Sequence, residues 1–383
     1  MSAVSINTGL AQLSNDLLLL AIVTYSLSLL AFAGDFAYGR PRRSEAAGRQ
    51  QARQAAVPEL AGIGAAGSAA GGTAPGVAPG VKEGQPPSAV PGPPASGPSA
   101  ASASSPAAAA AAPDGRPAPG SASPAFRDAG LWVRAAVTLA AVGLAAHVLN
   151  VVTRGLAVHR VPWGNMYEFV VAISCMAVLF FFTVMVRYRA WYLGMFVMGS
   201  VVVVLGLAET VIYTPAGQLV PALQSYWLAI HVTAMTVATG VFFVAAVMGT
   251  VYLFAERHAR LVGAGRATAG QGIMGRLPGP AVLDRLAYRT VVFGFPIWTF
   301  GVIAGAIWAD QAWGRYWGWD PVETWAFITW VVYAAFLHAR ATAGWRGKRA
   351  AYIQLLGFGC LVFNVLVVQV FITGLHSYAG LPG

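Results

Sequence analysis

Length, composition and charge place this chain among membrane proteins. It has 383 residues, of which 57% are hydrophobic and only 10% are charged. Soluble domains are about 25% charged and about 45–50% apolar, so these proportions exclude a soluble globule of this size. Two cysteines are too few for a disulfide framework, and the net charge of +10 has to be compared with membrane topology before a nucleic-acid partner is considered.

The first hydrophobic segment, at 12–33, is long enough to cross a membrane, which takes about 20 apolar residues. The sequence Ala31–Ala33 followed by Gly34 is similar to a signal-peptide cleavage site, so removal of this segment is an alternative. A signal peptide carries its positive charge in front, whereas here three arginines follow the segment. We therefore predict a retained transmembrane helix in an N-terminal unit, 1–40.

Residues 41–128 are a different kind of sequence, dominated by Ala, Gly, Pro and Ser. They contain 15 of the 23 prolines and no aromatic residue before Phe126. Such a segment cannot bury enough apolar surface to offset the conformational entropy lost on ordering. We predict a disordered cytoplasmic linker with no chemical role.

Seven further hydrophobic segments follow the linker, and each is long enough to span a membrane. The predicted fold class is therefore all-α, a polytopic membrane protein of about eight transmembrane helices, in which 129–383 form a seven-helix domain. The segment at 225–255 is long and is expected to tilt or to project from the membrane. The predicted spans after the linker are 131–153, 166–186, 191–213, 225–255, 288–308, 323–343 and 350–374.

The basic residues predict which loops lie on which side. With eight helices, one side of the membrane holds 21 of the 24 Lys and Arg residues, and basic loops stay cytoplasmic. Both termini and the loops at 154–165, 214–224 and 309–322 are thus predicted to be extracytoplasmic, in the plasma membrane. Membrane topology thus accounts for the excess of basic residues, and we predict no nucleic-acid partner.

The predicted outer loop at 309–322 is rich in tryptophan. Half of the twelve tryptophans lie within 23 residues here, and Trp313, Trp317 and Trp319 fall in the loop itself. An interfacial aromatic belt would explain one or two at each helix end. Flat rings beside glycines would instead form a platform for a large planar apolar ligand. The residues alone leave both interpretations open.

Two polar residues are predicted to cap the helices that follow outer loops. Asp320 precedes Pro321, which suits the first helical position, and Glu323 completes a capping box. Such a cap would hold the loop rigidly, as a binding platform requires. Asn165 is expected to cap the helix at 166–186 in the same way, with Glu168 favoured near the helix N-terminus.

Two histidines are candidate ligands for haem iron, and a third is predicted to lie within the membrane. His231 and His376 lie near outer helix ends and can flank the tryptophan loop, although each is alternatively a solvated interfacial side chain. His338 lies about 22 Å below the outer surface, where an ionisable side chain is a functional candidate or a neutral group bonded to a neighbouring helix. His147 lies about 9 Å deep, so His147 and His338 are not expected to hold one metal centre together.

These motifs resemble a family of membrane proteins that assemble c-type cytochromes. The run WGRYWGWDPVETW at 313–325 is similar to the WWD signature of haem-handling proteins, and the Leu-His pair at 337–338 follows as in the CcsA (ResC) branch of cytochrome c biogenesis system II. The runs LQSYWLAIHV at 223–232 and PWGNMYE at 162–168 match the same branch in the same order. The resemblance covers about 131–378, and the linker has no counterpart in it.

The resemblance implies that the chain binds haem b, delivers it to the outer face and presents it for covalent attachment to the CxxCH motif of apocytochrome c. His231 and His376 would ligate haem iron outside the membrane, and His338 would do so within it. The resemblance assigns no catalytic acid or base. The residues implied to bind the cofactor are His231, His376, His338, Trp313, Trp317, Trp319 and Asp320.

A CcsB (ResB)-type membrane protein is the partner that the resemblance implies. It would supply the second ligand beside His338 and complete a cytochrome c synthase, or haem lyase, complex. Apocytochrome c is the implied acceptor, and a thiol-reducing thioredoxin-like protein is a further candidate partner. The chain has no CxxC motif, so we interpret Cys175 and Cys360 as small buried hydrophobic side chains.

Three other classes of protein stay open. A b-type electron-transfer cytochrome would hold haem between helices with paired ligands at matching depth, and redox turnover with a quinone would favour it. A transporter would have broken helices and a polar lining at the midplane. A system I haem-handling protein such as CcmC or CcmF would differ in helix number and in the residues after the WWD aspartate.

Overall fold

The computed structural model describes residues 6–38, 129–217, 223–268, 272–275 and 277–377. The regular structure of these residues is helical, and eight of the helices are long and apolar enough to cross a membrane, which confirms the predicted fold class. The predicted linker, 41–128, lies outside the described residues. In chain order the eight helices are Thr8–Tyr38 (α1), Leu131–Val158 (α2), Met166–Tyr188 (α3), Trp191–Val211 (α4), Tyr226–Gly263 (α5), Pro280–Trp313 (α6), Pro321–Ala341 (α7) and Lys348–Phe371 (α8).

The first helix packs as part of the bundle. Leu18, Tyr25 and Phe32 of α1 are almost fully buried, chiefly against α2 and α4. The hydroxyl of Ser28 donates a hydrogen bond of 2.8 Å to the carbonyl oxygen of Ala136 on α2. The helix continues without a break through Ala31–Ala33, so this segment has a packing role in the described structure.

The sequence between the predicted spans 225–255 and 288–308, which their bounds leave as a loop at 256–287, is largely helical, so those bounds are wrong. α5 continues to Gly263, and α6 begins at Pro280, which occupies the favoured first position of the helix. A short helix, Gly272–Gly275, lies between them. The hydropathy signal ends where the apolar residues end, whereas helical hydrogen bonding continues into the polar residues that follow.

The predicted outer loop at 309–322 is also shorter than expected. α6 runs on to Trp313 and ends at Gly314, whose φ of +71° gives the left-handed conformation that commonly ends helices. The next helix begins at Pro321, as predicted. The irregular part of this loop is therefore 314–320, and Trp308 belongs to a helix that continues past it.

Two hydrophobic clusters form the core and meet at α5 and α6. One joins α1–α4 to parts of α5 and α6, and the other joins α5, α6, α7 and α8. In the second cluster Phe242 and Tyr333 stack with ring centroids 4.1 Å apart. Trp298 and Ala326 belong to this cluster and also line the cavity described below, so the cavity rests on a packed base.

Two polar groups within the helices, the buried His147 and the half-buried Glu209, have hydrogen-bond partners on neighbouring helices. Nε2 of His147 lies 3.1 Å from the carbonyl oxygen of Val171, and Nδ1 lies 3.4 Å from the hydroxyl of Tyr25. Both ring nitrogens therefore have partners, and His147 has a structural role. Glu209 accepts a 3.0 Å hydrogen bond from the hydroxyl of Tyr167.

One end of the bundle collects the loops that the charges predict to be extracytoplasmic. Nη2 of Arg154 donates to the carbonyl oxygen of Thr214 at 2.6 Å, and Nη2 of Arg160 donates to that of Gly217 at 2.9 Å. The loops after α2 and α4 are thus tied together. The side of the membrane that this end faces stays a prediction.

Candidate functional site

A large cavity lies at the end of the bundle where these loops meet. The space between its lining atoms, including open solvent, is about 1180 Å³. Its lining combines aromatic side chains with two histidines, namely Trp163, Phe169, Trp298, Trp308, Trp313, Tyr316, Trp317, His231 and His376.

His231 is presented by the first turns of α5. The side chain of Ser225 caps this helix by accepting a hydrogen bond from the backbone N–H of Trp227, and its hydroxyl also donates to Gln311 of α6. Nδ1 of His231 lies 2.7 Å from the carbonyl oxygen of Gly301. A carbonyl can only accept, so Nδ1 carries the proton and Nε2 has a free lone pair.

A close approach between α5 and α6 places His231 against Trp308. A Cβ at Gly305 would lie 2.6 Å from two atoms of the imidazole ring, so the ring needs a glycine there. Trp308 follows three residues later on the same face of α6. Its indole stacks on His231 with the ring planes 11° apart and the centroids 6.1 Å apart.

His376 follows the last helix and is held by Asp320. Its Nδ1 lies 2.8 Å from Oδ2 of Asp320, whose carboxylate also accepts hydrogen bonds from the backbone N–H groups of Leu375 and Val322. Burial raises the pKa of Asp320, but these hydrogen bonds outweigh it and hold the pKa below its ordinary value. An ionised Asp320 keeps the proton on Nδ1 of His376, so Nε2 is again free to bind a ligand.

Asp320 also confirms the predicted cap of α7. Its side chain accepts from Val322 in the first turn, while Oε2 of Glu323 accepts from the backbone N–H groups of Asp320 and Gly318. The reciprocal bonds fix the tryptophan loop on the helix. One aspartate therefore both caps α7 and orients His376. Sequence reasoning missed this second contact because the two residues are 56 positions apart.

The structure brings four of the predicted residues to the cavity wall. His231, His376, Trp313 and Trp317 all line the cavity. The ring of His376 meets those of Trp308 and Trp313 edge to face, with centroids 5.8 and 5.1 Å apart. Trp308 therefore lies within about 6 Å of both histidines, a position that tryptophan enrichment alone does not single out.

Two predicted residues lie away from the cavity. Trp319 is 67% exposed, has a φ of +55°, and packs edge to face on Trp317 and Phe327. His338 is exposed on α7 and is not part of the lining. The platform is therefore built from Trp308, Trp313 and Trp317, with Trp319 at its outer edge.

A buried ion cluster supports the wall of the cavity at Trp163. The carboxylate of Glu168 binds Nε of Arg154 at 3.1 Å and Nη1 of Arg160 at 2.9 Å, and its side chain is 1% exposed. It also accepts the backbone N–H of Gly164, which lines the cavity. Asn165 caps α3 through the backbone N–H of Glu168, as predicted.

The fold and the site define a polytopic helical membrane protein with an aromatic cavity that presents two histidine nitrogens. Residues 163–376 match the family described as cytochrome C assembly protein, and this range contains the whole cavity lining. The chain belongs to this family, in its CcsA cytochrome c biogenesis branch. It therefore has a role in cytochrome c maturation, which favours assembly over the electron-transfer and transport alternatives.

Curated relatives and a solved structure agree with this assignment. The chain is 34% identical to the cytochrome c biogenesis protein CcsA of Heterosigma akashiwo over 245 residues, which are 57% of this chain and 76% of that protein. It is 42% identical to CcsA of Guillardia theta over 43% of this chain and 58% of the relative. The structure of cytochrome c heme lyase CcmF has a TM-score of 0.53 at 14% identity, covering 95% of this chain and 47% of its own, which shows a likeness of fold.

Proposed function

We propose that the chain binds haem b in this cavity and presents it for attachment to apocytochrome c, as part of a cytochrome c synthase complex. The observation that carries this proposal is the state of the two histidines. Each has Nδ1 engaged, His231 with a backbone carbonyl and His376 with Asp320, and each keeps Nε2 free. Ligating histidines in metal sites are held in this way by a carbonyl or carboxylate.

The cavity suits a large planar tetrapyrrole. A porphyrin supplies four nitrogens to the iron, so one or two protein ligands complete the coordination, and histidine is a common choice. The rings of Trp308, Trp313 and Trp317 provide flat apolar surfaces beside the two histidines. Such faces favour stacking with another aromatic plane.

The chemistry assigned to the chain is holding and orienting. Haem supplies the vinyl groups, and each cysteine thiol of the acceptor adds across one vinyl double bond, with sulfur on one carbon and the thiol hydrogen on the other. This addition is balanced in atoms and electrons and needs no oxidant or reductant. Holding haem through His231 and His376, with Asp320 fixing His376, would convert an encounter of two solutes into an oriented reaction and would lower the barrier by about several kcal/mol.

His338 is assigned to a second haem contact shared with a partner chain. It is exposed on α7 outside the cavity, so its environment is completed by whatever packs on that face. We propose a CcsB (ResB)-type membrane protein there, which would supply the second ligand. In this proposal the cavity and both termini face the extracytoplasmic side of the plasma membrane, where a thioredoxin-like protein keeps the acceptor thiols reduced.

The test is to co-express the full chain with a CcsB-type partner and a reporter apocytochrome c. The purified complex is expected to show a Soret band of histidine-ligated haem, and the reporter is expected to acquire covalent haem on denaturing gels. The partner expressed without the chain is the control. A complex without haem, together with an unmodified reporter, would refute the proposal.

Asp320→Asn is expected to lower haem affinity by about 10–100-fold, the usual cost of removing a partner that orients a ligating histidine. Asparagine caps helices as well as aspartate, so the cap of α7 is kept and the negative charge beside His376 is lost. Haem titration followed at the Soret band measures the effect. An affinity equal to that of the unchanged chain would show that Asp320 acts only as a cap.

Gly305→Ala is expected to reduce haem retention because its methyl group would displace the ring of His231. The matched control is Gly206→Ala on α4, where a Cβ would meet nothing within 4 Å. Alanine favours helix over glycine by about 1 kcal/mol, so neither change should melt its helix. Haem per protein after purification is the measurement, and equal retention in the two variants contradicts the placement of His231.

A further inference from the structure

Two indole N–H groups at the cavity wall have no hydrogen-bond partner among the described residues. These are Nε1 of Trp163 and Nε1 of Trp308, and both atoms are buried. Both side chains line the cavity, and Trp308 as a whole is only 2% exposed. A buried donor without an acceptor is destabilising and therefore unusual in folded proteins, so each of these groups calls for an acceptor.

Two other indoles of the bundle have acceptors within the chain. Nε1 of Trp298, which also lines the cavity, lies 3.4 Å from the carbonyl oxygen of Ala326. Nε1 of Trp330 donates to the hydroxyl of Thr299 at 2.9 Å. The two buried indole donors without an acceptor among the described residues thus both belong to side chains that line the cavity, where a bound molecule can supply the acceptor.

The chemistry of the donor restricts what the acceptor can be. An indole N–H only donates, so the ligand must bring an oxygen or another lone pair. The ring nitrogens of a metallated tetrapyrrole are bound to the metal and its rim is otherwise apolar, so its carboxylate side chains are the available acceptors. Haem carries two of them, which matches two donors.

The charge near Trp163 favours an anion. Arg154 and Arg160 share one carboxylate, that of Glu168, which leaves this cluster one positive charge in excess. Nε of Arg160 is itself buried without an acceptor among the described residues. Trp163 follows Arg160 by three residues, and the next residue, Gly164, is bonded directly to Glu168.

We infer that the N–H groups of Trp163 and Trp308 recognise the carboxylate side chains of the bound tetrapyrrole, which makes both tryptophans specificity-determining residues. The inference rests on the proposed function. It goes further by identifying the substituents of the ligand that the cavity recognises. His231 and His376 would hold the metal, while these two indoles would fix the direction in which the carboxylate edge of the macrocycle faces.

The test compares iron protoporphyrin IX with its dimethyl ester, which keeps the ring, the vinyl groups and the metal but lacks the two negative charges. Both ligands are titrated into the detergent-solubilised full chain and followed at the Soret band. The unchanged chain is expected to prefer the free acid by about tenfold to hundredfold, as for loss of a hydrogen bond to a charged group. Trp163→Phe and Trp308→Phe should each reduce this ratio of affinities, whatever change each makes in the affinity for the ester itself.

Trp298→Phe is the matched control, since its N–H is already used inside the chain and the preference should persist. Because the readout is a ratio of two affinities in one preparation, a variant that is partly unfolded still reports it. Equal affinity of the unchanged chain for acid and ester would overturn the inference, as would an unchanged ratio in both Phe variants. If neither ligand binds the unchanged chain, it is the proposed function that fails.

Discussion

Replacing His231 or His376 by alanine is expected to remove most of the haem that co-purifies with the chain. Under the proposed function each imidazole would supply one bond to the iron through Nε2, and each is held in place through Nδ1. Loss of a mere orienting partner costs about 10–100-fold in affinity, so loss of the ligand itself should cost at least that much. The measurement is haem per protein, from the haemochrome spectrum in pyridine, at equal protein concentration.

The two alanine variants should differ in severity. His376 is bonded to a carboxylate, whereas His231 is bonded to a neutral carbonyl. A carboxylate partner makes the imidazole a stronger donor to a metal, so His376→Ala is expected to lose more haem than His231→Ala. Equal losses would indicate that the partner of Nδ1 contributes little to the strength of the bond to iron.

Exogenous imidazole separates a missing ligand from a damaged fold. An alanine at either position leaves space for a free imidazole, which should restore part of the Soret absorbance. His258→Ala is the control on the same helix, because His258 lies far along α5 from the cavity. Unchanged haem content in both ligand variants would contradict the assignment of these histidines.

The number of helices could be predicted from the sequence because hydrocarbon thickness sets a minimum apolar length. Each predicted span corresponds to one observed helix. Their ends could not be predicted in the same way, because α5 and α6 continue as helices beyond the apolar residues. Hydropathy reports where a chain enters the polar region, whereas a cap such as Gly314 determines where a helix ends.

Local features of the site could also be predicted, since they depend on residues a few positions apart. The caps formed by Asp320 and Asn165 follow from the residue types within one turn. The charge distribution placed His231 and His376 at the same end of the bundle. Their joint presence in one cavity agrees with that prediction.

The contacts that organise the site depend on helix packing and leave no local signal. Gly305 and Trp308 face His231 only because α6 continues as a helix past 308 and packs closely on α5. The predicted span at 288–308 placed Trp308 at the end of a helix. Tryptophan enrichment alone did not distinguish Trp319 from the other tryptophans of the loop. In the structure, Trp308 lies beside both histidines and Trp319 is mostly exposed.

Glu168→Gln is expected to lower the free energy of unfolding by about 3–5 kcal/mol, the usual cost of removing one partner from a buried ion pair. The substitution keeps the size of the side chain and removes its charge. Arg154, whose side chain is only 4% exposed, and Arg160 would then share no carboxylate. Thermal or denaturant unfolding of the solubilised chain, followed by tryptophan fluorescence, measures the change.

Glu256→Gln is the control for the loss of a carboxylate as such. Glu256 binds Arg260 and Lys348 with its side chain 22% exposed, and pairs of that kind contribute about 0–1 kcal/mol. If Glu168→Gln lowers the free energy of unfolding by no more than Glu256→Gln does, the cluster does not stabilise the fold. A variant that is less stable and also binds haem more weakly would link the two effects, because Glu168 holds Gly164 and with it the wall at Trp163. The buried cluster would then stabilise the fold and shape the cavity through the same carboxylate.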